Sequence, residues 1–87
     1  GADDDRACSR APCEYMGVRS EGWSPGTYSA TCYEGTSTAG RRLGSGSFTV
    51  EPGGAAFTAY LPCVYNKPGG TVVVDISGYL TTSIVWQ

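Results

Sequence analysis

Two short runs, each carrying one cysteine, constrain this chain more than any other feature. In FTAYLPC, Phe57 to Cys63, the residues Phe57, Ala59, Leu61 and Cys63 fall on one side of an extended backbone, because side chains in a strand alternate with period two. In YSATCY, Tyr28 to Tyr33, the same count brings Tyr28, Ala30 and Cys32 together. Each sulfur therefore points where its own strand's apolar residues point. A bond between Cys32 and Cys63 would tie two facing sheets, which predicts a small sandwich of strands.

At 87 residues the chain is one domain, near the size at which a single apolar core is barely sufficient. Leu, Ile, Val and Phe make up only about a sixth of it, while the net charge is −2 and aromatic residues are plentiful. A covalent staple resolves that tension. The four cysteines, Cys8, Cys13, Cys32 and Cys63, come without a CxxC and without any histidine, a pattern that suits disulfides rather than zinc. Three pairings are open to four cysteines; we favour Cys32 with Cys63 and Cys8 with Cys13. Disulfides imply an oxidising compartment and hence a secreted or cell-surface protein.

No apolar run approaches the roughly 18 to 20 residues needed to span a bilayer, and none has the form of a signal-peptide core. The sequence accordingly reads as a mature product or a trimmed piece. Its mild acidity, much of it in Asp3, Asp4 and Asp5, provides no basic field for nucleic acid. No metal or cofactor motif is present, and the Asp3 to Asp5 run lacks the spacing of a calcium loop. Residues 1–7 read as a flexible acidic arm and 8–87 as the sandwich domain.

Along the chain, Glu14 to Trp23 reads as a strand with Met16 and Val18 inward and Arg19 and Glu21 outward. Ser24, Pro25 and Gly26 make a turn, and a second strand runs from Thr27 to Tyr33. Glu34 to Ser47 is glycine, serine, threonine and arginine with one Leu43, and is expected to be the longest loop. Phe48 and Val50 face inward on a short third strand that ends at the turn Glu51 to Gly54. A fourth runs from Ala55 to Cys63, where Pro62 removes a ladder donor and marks a sheet edge or bulge. After the reversal Asn66 to Gly70, Val72, Val74 and Ile76 share the inner face of Thr71 to Ser77, with Val73 and Asp75 outside. Leu80 to Trp86 is the last strand, with Trp86 in phase with Ile84 and in the core. No segment keeps a helical period for two turns, so the expectation is all-β: an antiparallel sandwich of about six or seven strands.

PGTYSATC ending at Cys32, PCVYNKPGG around Cys63, VVVDISGY and the terminal IVW resemble small secreted β-sandwich modules of the immunoglobulin-like or fibronectin-III-like kind. The glycine-rich, lysine-poor composition is similar to that of actinobacterial extracellular domains. The resemblance covers Cys8 to Trp86 and implies a binding or adhesion module with no shared catalytic residues. Two immunoglobulin marks are missing: no tryptophan lies between Cys32 and Cys63, and Leu61 holds the position of the tyrosine two residues before the second cysteine.

Without histidine a Ser-His-Asp or Cys-His arrangement cannot be built, and a domain this small offers no deep cleft for a carboxylate pair. No enzymatic activity is expected. If the strands alternate in direction, the arm, the Glu34 to Ser47 segment and the Val64 to Gly70 segment share one end of the sandwich. That gathers Arg41, Arg42 and Lys67, with Arg10 and the ring of Tyr65 close by, into a basic end able to receive an anionic glycopolymer or an acidic protein surface. The plainer reading makes them ordinary solubilising residues. Trp23, beside the Ser24 to Gly26 turn, either caps the sandwich or meets a sugar. Two other classes remain: a protease inhibitor presenting Gly40, Arg41, Arg42 and Leu43, and a structural subunit that forms homo-oligomers by pairing sheet edges or donating residues 1–7.

Overall fold

The structure is a computed structural model and describes residues 5–6, 14–81 and 83–86. All its regular elements are strands: β1 (Asp5–Arg6), β2 (Tyr15–Ser20), β3 (Gly26–Glu34), β4 (Arg42–Val50), β5 (Phe57–Pro62), β6 (Thr71–Ile76), β7 (Tyr79–Leu80) and β8 (Ile84–Val85). They form two antiparallel sheets. One is three-stranded in the order β1-β2-β5; the other runs β4-β3-β6, with β7 and β8 both on the far side of β6. The last strand is thus a single position broken in two: Ile76 pairs Tyr79, Val72 pairs Ile84, and between them the Thr81 Oγ1 accepts from the Val74 N–H at 3.1 Å. Among the described residues no helix is long and apolar enough to cross a membrane.

The period-two pattern carries through to burial. Met16 and Val18 of β2, Ala30 and Cys32 of β3, Leu61 and Cys63, and Val72, Val74 and Ile76 of β6 form the core with Tyr65 and Trp86. Cys32 lies in one sheet and Cys63 just beyond the end of the other, and their disulfide joins them with a Cα–Cα distance of 6.1 Å. Its presence is consistent with an oxidising environment. Pro62 closes β5, which lies at an edge of its sheet, where a missing donor is tolerated. The β6–β7 hairpin turns through Ser77 and Gly78, whose φ of 50° and 91° match the twist a two-residue link requires.

The expected loop Glu34 to Ser47 is largely a strand. β4 begins at Arg42 and pairs with β3 from Tyr33↔Arg42 to Gly26↔Val50, so the connection is only the turn before Arg42, and Phe48 and Val50 are the tail of a nine-residue strand. Leu43 packs against the core. The glycines have a structural reason. An added Cβ on Gly44 would lie 2.2 Å from the Pro62 carbonyl oxygen, and one on Gly46 2.9 Å from the Leu61 side chain. Facing sheets ordinarily lie about 10 Å apart. At this corner, where Cys32 pairs Gly44 and bonds to Cys63, β4 presses directly onto the backbone at the end of β5, and at Gly44 only glycine leaves room.

Three smaller expectations also change. Val73, placed outside by alternation, is fully buried, in a central strand position beside its cross-strand neighbour Tyr33. The strand expected over Glu14 to Trp23 stops at Ser20, where the chain bends before Trp23. Within the arm expected over 1–7, Asp5 and Arg6 pair with Val18 and Gly17 along β2. Arg10, Cys8 and Cys13, with the bond favoured between those two cysteines, lie outside the described residues.

Candidate functional site

The antiparallel registers place the β3–β4 turn, the 63–70 connection, the start of β2 and the end of β8 at one end of the sandwich. The tie points are backbone bonds: Gly35 N–H to Thr71 C=O at 2.8 Å, Cys63 N–H to Glu14 C=O at 2.9 Å, and a reciprocal pair between the 69–70 dipeptide and Trp86. The Trp86 indole, buried, donates to the Tyr65 carbonyl at 3.1 Å. This core tryptophan therefore fixes the loop that carries Tyr65 and Lys67.

Glu34, the last residue of β3, is the hub. Its Oε1 lies 3.8 Å from Arg41 Nε and its Oε2 3.4 Å from Lys67 Nζ, so one carboxylate draws together cations from two loops. Hydrogen bonding with the Tyr65 hydroxyl, reinforced by Lys67 and Arg41 against the opposing effect of desolvation, holds the Glu34 carboxyl below the ordinary carboxylate value. The same bond, together with desolvation, pushes the Tyr65 hydroxyl above the ordinary phenol value. Gly70 lies against the Tyr65 ring so closely that an added Cβ would come within 2.8 Å of it.

Arg41 and Lys67 thus stand together, with side chains 65% and 69% exposed. Lys67 donates one N–H to Glu34, while Arg41 is held by charge alone at 3.8 Å; an arginine has five donors and a lysine three, so most of their hydrogen-bonding capacity faces solvent. Two other expected members differ. Arg42 is a strand residue whose Nη2 donates to Ser45 Oγ at 2.6 Å along β4. Tyr65 is 7% exposed, so its ring is core and its hydroxyl a brace, not a contact surface. Residues 41–43 do not stand out as a free inhibitory loop either: the Arg41 carbonyl accepts from Glu34 N–H at 2.8 Å, and the Leu43 carbonyl from Val64 N–H at 3.3 Å. Glu34 itself was legible only as one more loop carboxylate, since nothing local marks a residue whose partners arrive from the 65–67 segment.

Trp23 lies at the opposite end. Its ring packs on Tyr28 and Phe48, with centroids 5.0 and 5.7 Å away, and Phe48 meets Phe57 edge-on at 6.2 Å. The cluster caps the open end of the core. A cleft of about 200 Å³ beside it is lined by Trp23, Pro25, Val50, Glu51 and the Gly53 to Ala56 turn. The Trp23 Nε1 is buried and has no hydrogen-bond partner among the described residues. Comparison with protein-family models, with curated proteins and with solved structures returns no match for this chain.

Proposed function

We propose that this chain is a non-catalytic, secreted binding or adhesion module of a bacterial cell surface that holds an anionic polymer or acidic surface through Arg41 and Lys67. The observation that carries the reading is their convergence on the Glu34–Tyr65 pair with most of both side chains left in solvent. A cation fixed before binding loses less side-chain freedom when a ligand arrives. Glu34 acts as a positioning residue: it offsets part of the charge but holds the two donors a fixed distance apart.

Strand order supports the resemblance to immunoglobulin-like modules. In that arrangement the first, second and fifth strands share a sheet and the third, sixth and seventh form the other. The order here is the same for those positions, but β4, which in that arrangement joins the first, second and fifth strands, pairs with β3 instead. The disulfide departs from it, joining the third strand to the end of the fifth instead of the second to the sixth.

The test is retention of purified protein on anionic cell-wall fractions at low and physiological salt. Arg41→Ser with Lys67→Ser is expected to weaken retention at least about tenfold, equivalent to about 1.4 kcal/mol. Arg42→Ser, at a residue tied to Ser45, is expected to leave it unchanged. Full retention by the Arg41/Lys67 variant refutes the proposal.

A further inference from the structure

The outward side of the three-stranded sheet carries a row of apolar side chains that the core does not use. From Tyr60 to Tyr65 burial alternates: Leu61, Cys63 and Tyr65 are inside, while Tyr60, Pro62 and Val64 are exposed, Tyr60 at 71% and Val64 at 48%. The β2–β5 register sets Tyr15, 53% exposed, opposite Pro62 and sets Gly17, which has no side chain, opposite Tyr60. Tyr15 and Tyr60 are therefore diagonal neighbours on one face, about 7–8 Å apart at the backbone. Exposed large apolar side chains that gather in one place mark interaction surfaces more often than isolated ones do.

Tyr15 and Pro62 stand at the end of the sheet from which the chain continues, through exposed Val64 and Asn66, to Lys67, which meets Arg41 on Glu34. That continuity decides the occupant. Tyrosine and proline offer flat, partly apolar faces without a deep groove, which suits the C–H face of a sugar ring better than a side chain that needs a pocket. The cations at one end call for acid groups on the same ligand. We infer that Tyr15, Tyr60 and Pro62 with Lys67 and Arg41 form one continuous surface for an acidic polysaccharide, its sugar rings on the tyrosines and its carboxylates on the cations. This inference rests on the cationic corner proposed above and names its ligand class.

The experiment measures affinity for two probes of like charge, polygalacturonate and poly-L-glutamate, the second lacking sugar rings. Tyr15→Ala with Tyr60→Ala is expected to weaken polygalacturonate binding at least about tenfold and leave poly-L-glutamate binding unchanged; Arg41→Ser with Lys67→Ser weakens both. Both tyrosines are exposed, so an unaltered melting temperature should accompany the loss; if the pair proves unstable, Tyr60→Ala alone serves. Polygalacturonate binding within about twofold of native in the tyrosine variants, with loss in the cation variant, overturns the platform and leaves the corner standing. Equal weakening of both probes by the tyrosine variants overturns the sugar assignment. Failure of the native protein to bind either probe removes the corner and the platform together.

Discussion

Gly44 offers the most direct test of how this sandwich closes. An alanine there would put its Cβ 2.2 Å from the Pro62 carbonyl oxygen, 2.7 Å from the carbonyl carbon and 3.1 Å from the Cys63 Cα. All three are backbone atoms, so no rotamer change relieves the contact. β4 must retreat from β5 by roughly an ångström to reach ordinary van der Waals separation. Overpacking of this kind costs about 1–3 kcal/mol. The retreat also pulls on the Val64 N–H to Leu43 C=O bond, already 3.3 Å long, whose loss adds about 1 kcal/mol. The sum, about 2–4 kcal/mol, is a large part of the roughly 4–13 kcal/mol expected for a domain of 87 residues. Urea unfolding of the oxidised protein, followed by emission of the buried Trp86, reads the change as a lower midpoint with an unchanged slope. Gly46→Ala is the control: its nearest contact is the Leu61 side chain at 2.9 Å, which can rotate, so a cost of about 1 kcal/mol or less is expected. A Gly44→Ala variant within about 0.5 kcal/mol of native, the range of ordinary surface changes, would refute the close approach as the reason for glycine.

Replacing both Cys32 and Cys63 by alanine should cost about 3.7 kcal/mol in the chain-entropy account for a separation of 31 residues, lowering the melting temperature by roughly 15–30 °C; a loss under about 1 kcal/mol would mean the tie adds little. Trp86→Phe removes the donor to the Tyr65 carbonyl and leaves a buried gap, with an expected cost of about 2–4 kcal/mol in urea unfolding followed by circular dichroism and loosened hydrogen-exchange protection at Gly69 and Gly70. Glu34→Gln tests the hub through pH. Because the folded Glu34 carboxyl is depressed, its contribution is present above the ordinary value of 4.5 and fades as pH falls below it; because the Tyr65 hydroxyl is raised, the contribution of its bond is present below 10.0 and fades as pH climbs above that value. The stability difference between native and Glu34→Gln should therefore form a plateau between those limits and shrink on both sides, and a difference independent of pH would refute the assignment.

Much of the fold could be read locally because a strand's side-chain alternation is set by its own backbone. Phe57 to Cys63 and Tyr28 to Tyr33 sort their residues inward and outward whatever they pair with, which is why the Cys32–Cys63 tie and the inward Met16, Val18, Val72, Val74 and Ile76 were legible. Turns such as 51–54 and 67–70 were legible for the same reason, since Pro and Gly state their φ preferences without reference to neighbours. The placement of Arg41 with Lys67 at one end followed from strand direction alone.

What lay beyond the sequence depended on atoms distant along the chain. RLGSGS at Arg42 to Ser47 has the composition of a loop, and becomes a strand because β3 offers it an edge and β5 leaves room only for glycine. Val73 is buried although alternation puts it on the face opposite Val72 and Val74, and Glu34 becomes a hub because Tyr65 and Lys67 arrive from another connection. Alternation is a property of one strand and needs only covalent geometry. Close approach, pairing and charge convergence belong to pairs of segments, and their energies exist only once the sheets have met.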